Sequence, residues 1–376
     1  MKTDLVKGFR DYSGAEAVKR AEIRKIIVGA FESYGFEPAE TPVVEYADFV
    51  NGDNAGDEAV SDTFKLKDRG KRDLALRYEF TFQLKRLMNN KKLPYRRYQI
   101  GEVFRDEPVS ERRFRQFTQC DVDVVGSTVR DEAEVLALVK EVFEELGIKI
   151  EIRVNNRKLL NEILDKLEIK KKKEAIREFD KLDKLSERVV KENLKKYNAE
   201  KVLGILKQNP EFFKKYKSFS EIEELIDYCE FYGIKVKFFP FLARGLSYYN
   251  GTIFEIKTEG MKETVAAGGS YLFNNVQCTG VAFGLDRISP LADIDSGGVR
   301  ILVASLEQDK ESIALAQKLR KEGKSVSTYY GKPSKALEYA DSYGFGKIVF
   351  VGEREVKAGK FKIKNMKSGK ESALKI

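Results

Sequence analysis

One segment in the last third of the chain reads Gly280-Val281-Ala282-Phe283-Gly284-Leu285-Asp286-Arg287. Its apolar residues are typical of a strand, and Arg287 follows shortly after a glycine that punctuates the strand end. Two other arginines have similar surroundings. Arg105 closes Gly101-Glu102-Val103-Phe104-Arg105, and Arg244 opens Arg244-Gly245-Leu246-Ser247-Tyr248-Tyr249-Asn250. Strands interspersed with glycine predict a sheet that carries a functional site.

The chemistry of arginine suggests what such a site would bind. Its planar guanidinium group contacts phosphate oxygens at two points. Several arginines that converge on one pocket would stabilise a pentavalent phosphorus centre. A surface ion pair is the ordinary role of any one arginine, so the residue type alone leaves both interpretations open.

Length and composition predict a soluble protein of two or three domains, with 376 residues, 42% hydrophobic and 34% charged. No apolar run is long enough to span a bilayer, and no apolar signal core follows Met1, so we expect a cytoplasmic protein without membrane association. The net charge of +9 favours a polyanionic partner such as nucleic acid. A lysine-rich surface that serves solubility is the alternative.

The chain contains no histidine. This excludes a Ser-His-Asp triad, a histidine general base and every histidine-ligated metal site. Catalysis would therefore use arginine, lysine, carboxylates, hydroxyls or a carboxylate-held metal. The three cysteines, Cys120, Cys229 and Cys278, are far apart and predict isolated reduced thiols.

Hydrophobic periodicity divides the first part of the chain into alternating helices and strands. We predict helices at 14–35, 79–90 and 130–146, and strands at 63–68, 73–78, 95–104 and 117–125. Residues 95–104 and 117–125 read as an antiparallel pair joined by an arginine-rich loop.

The remaining chain changes character twice. Residues 156–230 are rich in lysine and glutamate and helical in pattern, and the Lys170–Lys173 run reads most simply as a solvated face. After a linker at 296–298, strands and helices alternate as in a small α/β domain. We predict strands at 300–304, 325–328 and 347–351, helices at 309–322 and 334–343, and a basic hairpin near 354–366.

Three segments resemble, in order, the signature motifs of class II aminoacyl-tRNA synthetases. Gly35 to Asp48, with Thr41-Pro42 near its centre, resembles motif 1, the dimer-interface motif. Phe104-Arg105-Asp106-Glu107 and Arg113-Phe114-Arg115-Gln116-Phe117 resemble motif 2, and Gly280 to Arg287 resembles motif 3. The resemblance implies a catalytic domain of α+β type built on an antiparallel sheet.

Further segments resemble signatures of histidyl-tRNA synthetases: Arg244 to Asn250, Leu76-Arg77-Tyr78-Glu79-Phe80-Thr81, Gln119-Cys120-Asp121-Val122-Asp123 and Val154-Asn155-Asn156-Arg157. This resemblance covers nearly the whole chain and implies four parts. Residues 1–155 would form the first part of the catalytic core, 156–235 a helical insertion, 236–296 the second part of the core, and 297–376 an α/β anticodon-binding domain.

The resemblance implies ATP-dependent ligation of histidine to its tRNA through a histidyl-adenylate, with Mg²⁺ between the β- and γ-phosphates and a homodimer formed through motif 1. Arg105 would hold the α-phosphate and the substrate carboxylate, Arg287 the γ-phosphate, and Arg244 would sit across the α-phosphate. Glu107 would face the adenine or the terminal adenosine of tRNA. Phe117 would stack under the adenine, with a core aromatic as the alternative.

The same resemblance assigns the histidine pocket. The α-amino group or nearby polar atoms would be bound by Glu79, Thr81, Gln119 and Asp123, and the imidazole pocket would be lined by Tyr248, Tyr249 and Tyr271. Tyr248 and Tyr249 would point to opposite faces of a strand, so we expect one of them to meet the substrate. Asp121 and Asp123 share a strand face, so one of them can be structural.

The chain departs from the family pattern in three places. Ser247 stands where an aspartate is usual, Ser270 and Leu272 stand where arginine and aspartate are usual, and Glu111-Arg112-Arg113 replaces a Gly-Arg pair. Two rival functions follow: a non-catalytic, synthetase-like regulatory subunit of ATP phosphoribosyltransferase, and a class II synthetase for another amino acid. Regulatory subunits of that kind lack an anticodon domain, so residues 299–376 argue against the first rival.

Overall fold

The computed structural model describes residues 3–52, 62–110, 113–243, 248–294 and 298–374. The chain divides into two compact units, Met1–Asp11 with Ile23–Asp293 and Tyr12–Glu22 with Ile294–Ile376. Among the described residues, no helix combines the length and apolar character that crossing a membrane requires.

An eight-stranded, mixed and mostly antiparallel sheet forms the first unit. Its strands in spatial order are β1 (Glu37–Pro38), β5 (Tyr95–Phe104), β6 (Gln116–Val125), β11 (Val276–Gly284), β10 (Ala266–Phe273), β9 (Tyr249–Thr258), β7 (Ile150–Asn156) and β8 (Val236–Phe238). A three-stranded sheet has the order β2 (Val44–Tyr46), β4 (Asp73–Leu76) and β3 (Lys65–Lys67).

Two helices cover one face of the large sheet: α1 (Gly14–Ser33) in its part from Ile23 onward, and the helix Val129–Glu145. The Phe283 ring of β11 lies 6.0 Å from the Phe31 ring and 5.8 Å from the Phe143 ring, in edge-to-face geometry. All three rings are almost fully buried, and such contacts add to the free energy that burial contributes. This packing leaves the opposite face of the central strands for a site.

Shorter helices complete the first unit. They span Ala47–Asn51, Leu84–Leu87, Arg157–Lys166, Lys172–Phe179, Glu187–Lys195, Val202–Leu206, Pro210–Phe213, Ser220–Phe231 and Leu285–Ile288, with 3₁₀ turns at Asp180–Asp183 and Lys217–Phe219. The helix predicted at 79–90 is wrong in extent. Buried Gln83 donates a hydrogen bond to Glu45 (2.7 Å), and buried Glu79 faces the cavity described below, so tertiary contacts determine this backbone.

The second unit is a five-stranded sheet in the order β13 (Val326–Tyr330), β12 (Ile301–Ser305), β14 (Lys347–Val351), β15 (Lys362–Asn365) and β16 (Glu371–Ala373). Alternate residues of β12 face two separate cores. Ile301 and Val303 pack with Leu315 of the helix Asp309–Lys321, whereas Leu302 packs with Ala336 of the helix Pro333–Ser342. The predicted α/β domain is confirmed.

The basic hairpin predicted near 354–366 is misplaced. A helix, Glu353–Ala358, occupies its first part, and the hairpin is β15–β16. The Glu355 carboxylate accepts a hydrogen bond from the Gly352 N–H (3.2 Å), and Gly359 ends the helix in a left-handed conformation (φ 58°). These two caps stabilise a helix whose six residues have little hydrophobic periodicity.

Candidate active site

The first unit contains a cavity of about 300 Å³. All of the predicted site residues that the structure describes line it: Glu79, Thr81, Arg105, Glu107, Phe117, Gln119, Asp123, Tyr248, Tyr249, Tyr271 and Arg287. Arg244, Ser247, Glu111 and Arg112 lie outside the described residues. Residues that are distant in the sequence therefore meet at one cavity.

Strand register explains why the cavity forms here. Gln119, Asp121 and Asp123 alternate along β6 and so share one face. Their partners on β11 are small, because Gly284 lies opposite Gln119, Ala282 opposite Asp121 and Gly280 opposite Asp123. At Gly280 this smallness is required, since a Cβ atom would lie 2.3 Å from Asp123 Oδ1.

One end of the cavity is cationic. Arg105 follows β5, and its Nε donates to the Tyr78 carbonyl (3.1 Å) while Nη2 donates to Gln119 Oε1 (3.3 Å). The Arg105 guanidinium carbon lies 5.1 Å from the centre of the Phe117 ring. These contacts orient a charged group beside an aromatic face.

Arg287 belongs to the same end. Its Nη1 donates to the Thr264 carbonyl (3.1 Å), and burial lowers the pKa of its guanidinium. The positive charges of Arg105 and Arg113 lower that pKa further, so both arginines repel Arg287 at this end of the cavity. An anion at this end would relieve the repulsion.

Two carboxylates hold the cationic end in place. Asp286 Oδ2 accepts a hydrogen bond from the Thr118 N–H (2.7 Å), which joins the one-turn helix Leu285–Ile288 to β6. Glu107 is buried and forms an ion pair with Arg113. These two contacts connect segments of the sequence that supply the cationic end.

The other end of the cavity is acidic. Burial raises the pKa of Glu79 to about 7, although Arg105 opposes the shift. Burial raises the pKa of Asp121 to about 8 and also raises that of Asp123, and in both cases Arg97 opposes the shift. Arg97 is fully buried, and its Nη2 lies 2.7 Å from Asp123 Oδ2. This end is suited to a bound cation, because its charge would offset the hydration that the buried carboxylates have lost.

Aromatic rings adjoin the acidic end. The Tyr248 ring lies 4.8 Å from the Tyr249 ring and 5.5 Å from the Tyr271 ring, and the Tyr271 hydroxyl donates to Asp123 Oδ1. Both Tyr248 and Tyr249 line the cavity, because Tyr248 precedes the first residue of β9 and strand alternation does not apply to it. That only one of them meets the substrate stays a prediction.

Two of the residues that differ from the family pattern, Ser270 and Leu272, lie in different environments. Ser270 is buried and donates a hydrogen bond to Glu132, and it does not line the cavity. Leu272 is half exposed. Among cavity residues given no role from the sequence are Asp121, Arg113 and Thr264. The alternation from Gln119 could have indicated Asp121, whereas no local pattern marks Thr264, which contributes its carbonyl.

A mostly antiparallel sheet with this cavity, together with a C-terminal α/β domain, defines a class II aminoacyl-tRNA synthetase. The family model of histidyl-tRNA synthetases matches residues 8–288, and that of anticodon-binding domains matches residues 299–376. The chain belongs to the histidyl-tRNA synthetase family.

Individual relatives agree with this membership. Histidine–tRNA ligase 2 of Shouchella clausii is 34% identical, over 97% of this chain and 96% of its own length. The crystal structure of histidyl-tRNA synthetase from Nostoc sp. PCC 7120 superposes with a TM-score of 0.87 at 26% identity, covering 100% of this chain and 97% of that one.

The fold also resembles that of a Bacillus halodurans protein described as an ATP phosphoribosyltransferase regulatory subunit/histidyl-tRNA synthetase. The TM-score is 0.77 at 22% identity, over 93% of this chain and 98% of that one. This similarity concerns the fold alone.

Proposed function

We propose that this chain activates histidine with ATP and transfers it to tRNA. The observation that carries the proposal is the polarity of one cavity, with Arg105, Arg113 and Arg287 at one end and Glu79, Asp121 and Asp123 at the other. An amino acid with its ammonium group at the acidic end and its carboxylate towards the arginines would be oriented for attack on a bound triphosphate.

In the first step, a carboxylate oxygen of histidine bonds to the α-phosphorus of ATP, and the bond from that phosphorus to the bridging oxygen breaks. Pyrophosphate leaves with the electron pair. Arg105 would contact the substrate carboxylate and the α-phosphate, and Arg287 the γ-phosphate. Charge neutralisation at the phosphorus and positioning would supply most of the acceleration, which needs no enzyme histidine.

In the second step, a terminal ribose hydroxyl of tRNA attacks the adenylate carbonyl and AMP leaves. Phe117 would stack under the adenine, and Glu107 would face the adenine or the terminal adenosine of tRNA. The Arg105 contact with the Phe117 ring supports an aromatic surface kept at the nucleotide end.

The histidine would be bound by Glu79, Thr81, Gln119 and Asp123, with Tyr248, Tyr249 and Tyr271 around its ring. Buried carboxylates suit an ammonium group, because the ion pair offsets the desolvation of both partners. Arg244 is proposed to sit across the α-phosphate, on the family resemblance alone.

Mg²⁺ would neutralise charge between the β- and γ-phosphates. The described residues contain no group of three or more cysteines or carboxylates suited to a metal. Mg²⁺ in nucleotide sites is usually bound by one or two carboxylates, substrate phosphates and water. Asp286 is the carboxylate at the arginine end that would share it.

We also propose the four-part organisation, with the helical insertion at 156–235 and the anticodon-binding domain at 297–376. That domain would read unstacked anticodon bases, the usual mode of sequence-specific RNA recognition. A homodimer through motif 1 is supported by exposed apolar side chains in β2, where Val44 is 43% and Tyr46 57% exposed. We place the enzyme in the cytoplasm.

The direct test is ATP–pyrophosphate exchange with each of the twenty amino acids, followed by charging of histidine tRNA. Exchange that depends on histidine, together with charging, supports the proposal. Exchange with another amino acid would identify a different specificity. No exchange with any amino acid would favour the regulatory subunit.

A further inference from the structure

Glu79 and Thr81 reach the cavity from a loop, residues 77–83, that we call the cavity loop. It contains no helix or strand and lies between β4 and the helix Leu84–Leu87. The hydrogen bonds of a helix or a sheet therefore do not fix its backbone, and contacts with other segments have to do so.

The first end of the cavity loop is bound to residues 41–45, which we call the anchoring segment. The Arg77 N–H donates a hydrogen bond to the Val43 carbonyl (2.9 Å), and Arg77 Nη1 donates to the Thr41 carbonyl (2.7 Å). Arg77 is buried and does not line the cavity. It thus has the contacts of an arginine that holds two stretches of main chain together.

The second end of the cavity loop is bound to the same anchoring segment. Gln83 is fully buried, and its Oε1 accepts a hydrogen bond from the Thr41 hydroxyl. Its Nε2 donates to the Pro42 carbonyl (2.9 Å) and to Glu45 Oε1 (2.7 Å). An amide whose oxygen and nitrogen are both engaged has one favoured orientation, so this end is fixed two residues from Thr81.

The Thr41 hydroxyl connects the cavity loop to the large sheet. It accepts a hydrogen bond from Gln99 Nε2 (2.7 Å) while it donates to Gln83. Gln99 belongs to β5 and lies opposite Asp121 of β6 in register. One hydroxyl group therefore joins the loop to the strand beside the one that carries the acidic residues of the cavity.

We propose that Thr41 and Gln83 are positioning residues, which hold the cavity loop where Glu79 and Thr81 can bind histidine. The inference rests on the proposed function, because it assumes that those two side chains contact the amino acid. Neither Thr41 nor Gln83 lines the cavity, so both act through the loop. A loop released from the anchoring segment would have to be ordered when histidine binds, and that ordering weakens binding.

The ATP end of the cavity depends less on this loop. Arg105 contacts it at the Tyr78 carbonyl (3.1 Å), but Phe117 lies on β6 and Arg287 on the helix Leu285–Ile288. Release of the loop should therefore raise the KM for histidine more than the KM for ATP. A general loss of stability would not make that distinction.

The test compares Thr41→Val, Thr41→Ser and Gln83→Leu with the wild type in pyrophosphate exchange. Valine keeps the shape of threonine without its hydroxyl, whereas serine keeps the hydroxyl. The KM for histidine should rise roughly three- to tenfold in Thr41→Val and Gln83→Leu, as loss of one or two hydrogen bonds does, with the KM for ATP within about twofold of wild type. In Thr41→Ser both values should stay within about twofold.

Two further variants are controls. Thr41→Val combined with Gln83→Leu should exceed the stronger single variant by less than about twofold, because either substitution alone releases the loop. Effects that multiply would mean that the two residues act separately, and would overturn the inference. Ile163→Val removes a methyl group from a fully buried side chain outside the cavity, so it should lower stability and leave both KM values within about twofold.

A KM for histidine less than about threefold above wild type in folded Thr41→Val and Gln83→Leu would overturn the inference. An equal rise in the KM for ATP, or an equal effect of Thr41→Ser, would do the same. So would a rise confined to variants whose oligomeric state differs from wild type in sedimentation velocity, because the anchoring segment would then act through an interface.

Hydrogen–deuterium exchange of the wild type decides the question if neither variant folds. Bound histidine should slow the exchange of the amides of residues 43–46, although these residues do not line the cavity. Unchanged exchange there would refute the positioning role. A wild type without histidine-dependent pyrophosphate exchange would instead refute the proposed function.

Discussion

Replacing Arg287 by alanine should separate catalysis from stability. Arg287 is partly buried, and the charges of Arg105 and Arg113 act against its own. Among the described residues its side chain donates one hydrogen bond, to the Thr264 carbonyl (3.1 Å). The side chain is therefore placed for an anion and adds little to the folded protein.

The expected magnitudes follow from these contacts. Loss of one preorganised charge at a developing anion costs about 2.7–4 kcal/mol, so kcat/KM for ATP should fall roughly 10²- to 10³-fold. Loss of one hydrogen bond costs about 1 kcal/mol, and relief of the repulsion between arginines offsets part of it. The free energy of unfolding should therefore change by less than about 1 kcal/mol.

Pyrophosphate exchange at varied ATP and urea unfolding measure the two quantities. The matched control is Arg72→Ala, which removes an arginine that is paired with Asp68 on the surface of the same unit. It should leave exchange within about twofold of wild type. A folded Arg287→Ala variant that retains kcat/KM within about fivefold would refute the role of this arginine.

Four further predictions concern the cavity and the proposed site. Burial raises the pKa of Glu79 to about 7 and that of Asp121 to about 8, so both carboxylates ionise as the pH rises from 6 to 8.5. The KM for histidine should fall over that range. A KM that does not change with pH would contradict cation binding by these carboxylates. The same raised pKa values mean that the folded ligand-free protein binds more protons than the unfolded chain between about pH 4 and 8, so thermal unfolding should show stability decreasing as pH rises through that window. Gly280→Ala places a Cβ 2.3 Å from Asp123 Oδ1. It should lower the free energy of unfolding in urea by about 1–3 kcal/mol and raise the KM for histidine. Gly204→Ala, whose Cβ would have nothing within 4 Å, should do neither. Arg244→Ala should reduce pyrophosphate exchange by on the order of a hundredfold, and exchange near the wild-type rate would remove Arg244 from the proposed site.

Much of the cavity could be predicted from local sequence. Arg105 and Arg287 stand beside strand-like segments, and Gln119, Asp121 and Asp123 alternate along one strand. A two-residue period places side chains on one face whatever the strand's neighbours are. Local pattern therefore predicted which groups share a face.

Local sequence patterns did not predict structure where contacts between distant residues determine the backbone conformation or the ion-pair partner of a side chain. The predicted helix at 79–90 is confined to Leu84–Leu87, because Glu79 and Gln83 are buried among groups from other elements. The Arg97–Asp123 ion pair depends on β5 and β6 adopting one particular register. No pattern within either strand specifies that register.

From the sequence alone came the motif order, the alternation of acidic residues on β6 and the exclusion of histidine chemistry, because these depend on residue type and spacing. Only the tertiary structure decided that Asp123 is held by Arg97 and Tyr271 and that Asp121 is bound by Gln119. The physical reason is that hydrogen bonds are short-ranged, so the partners of a buried carboxylate depend on which strands lie beside it.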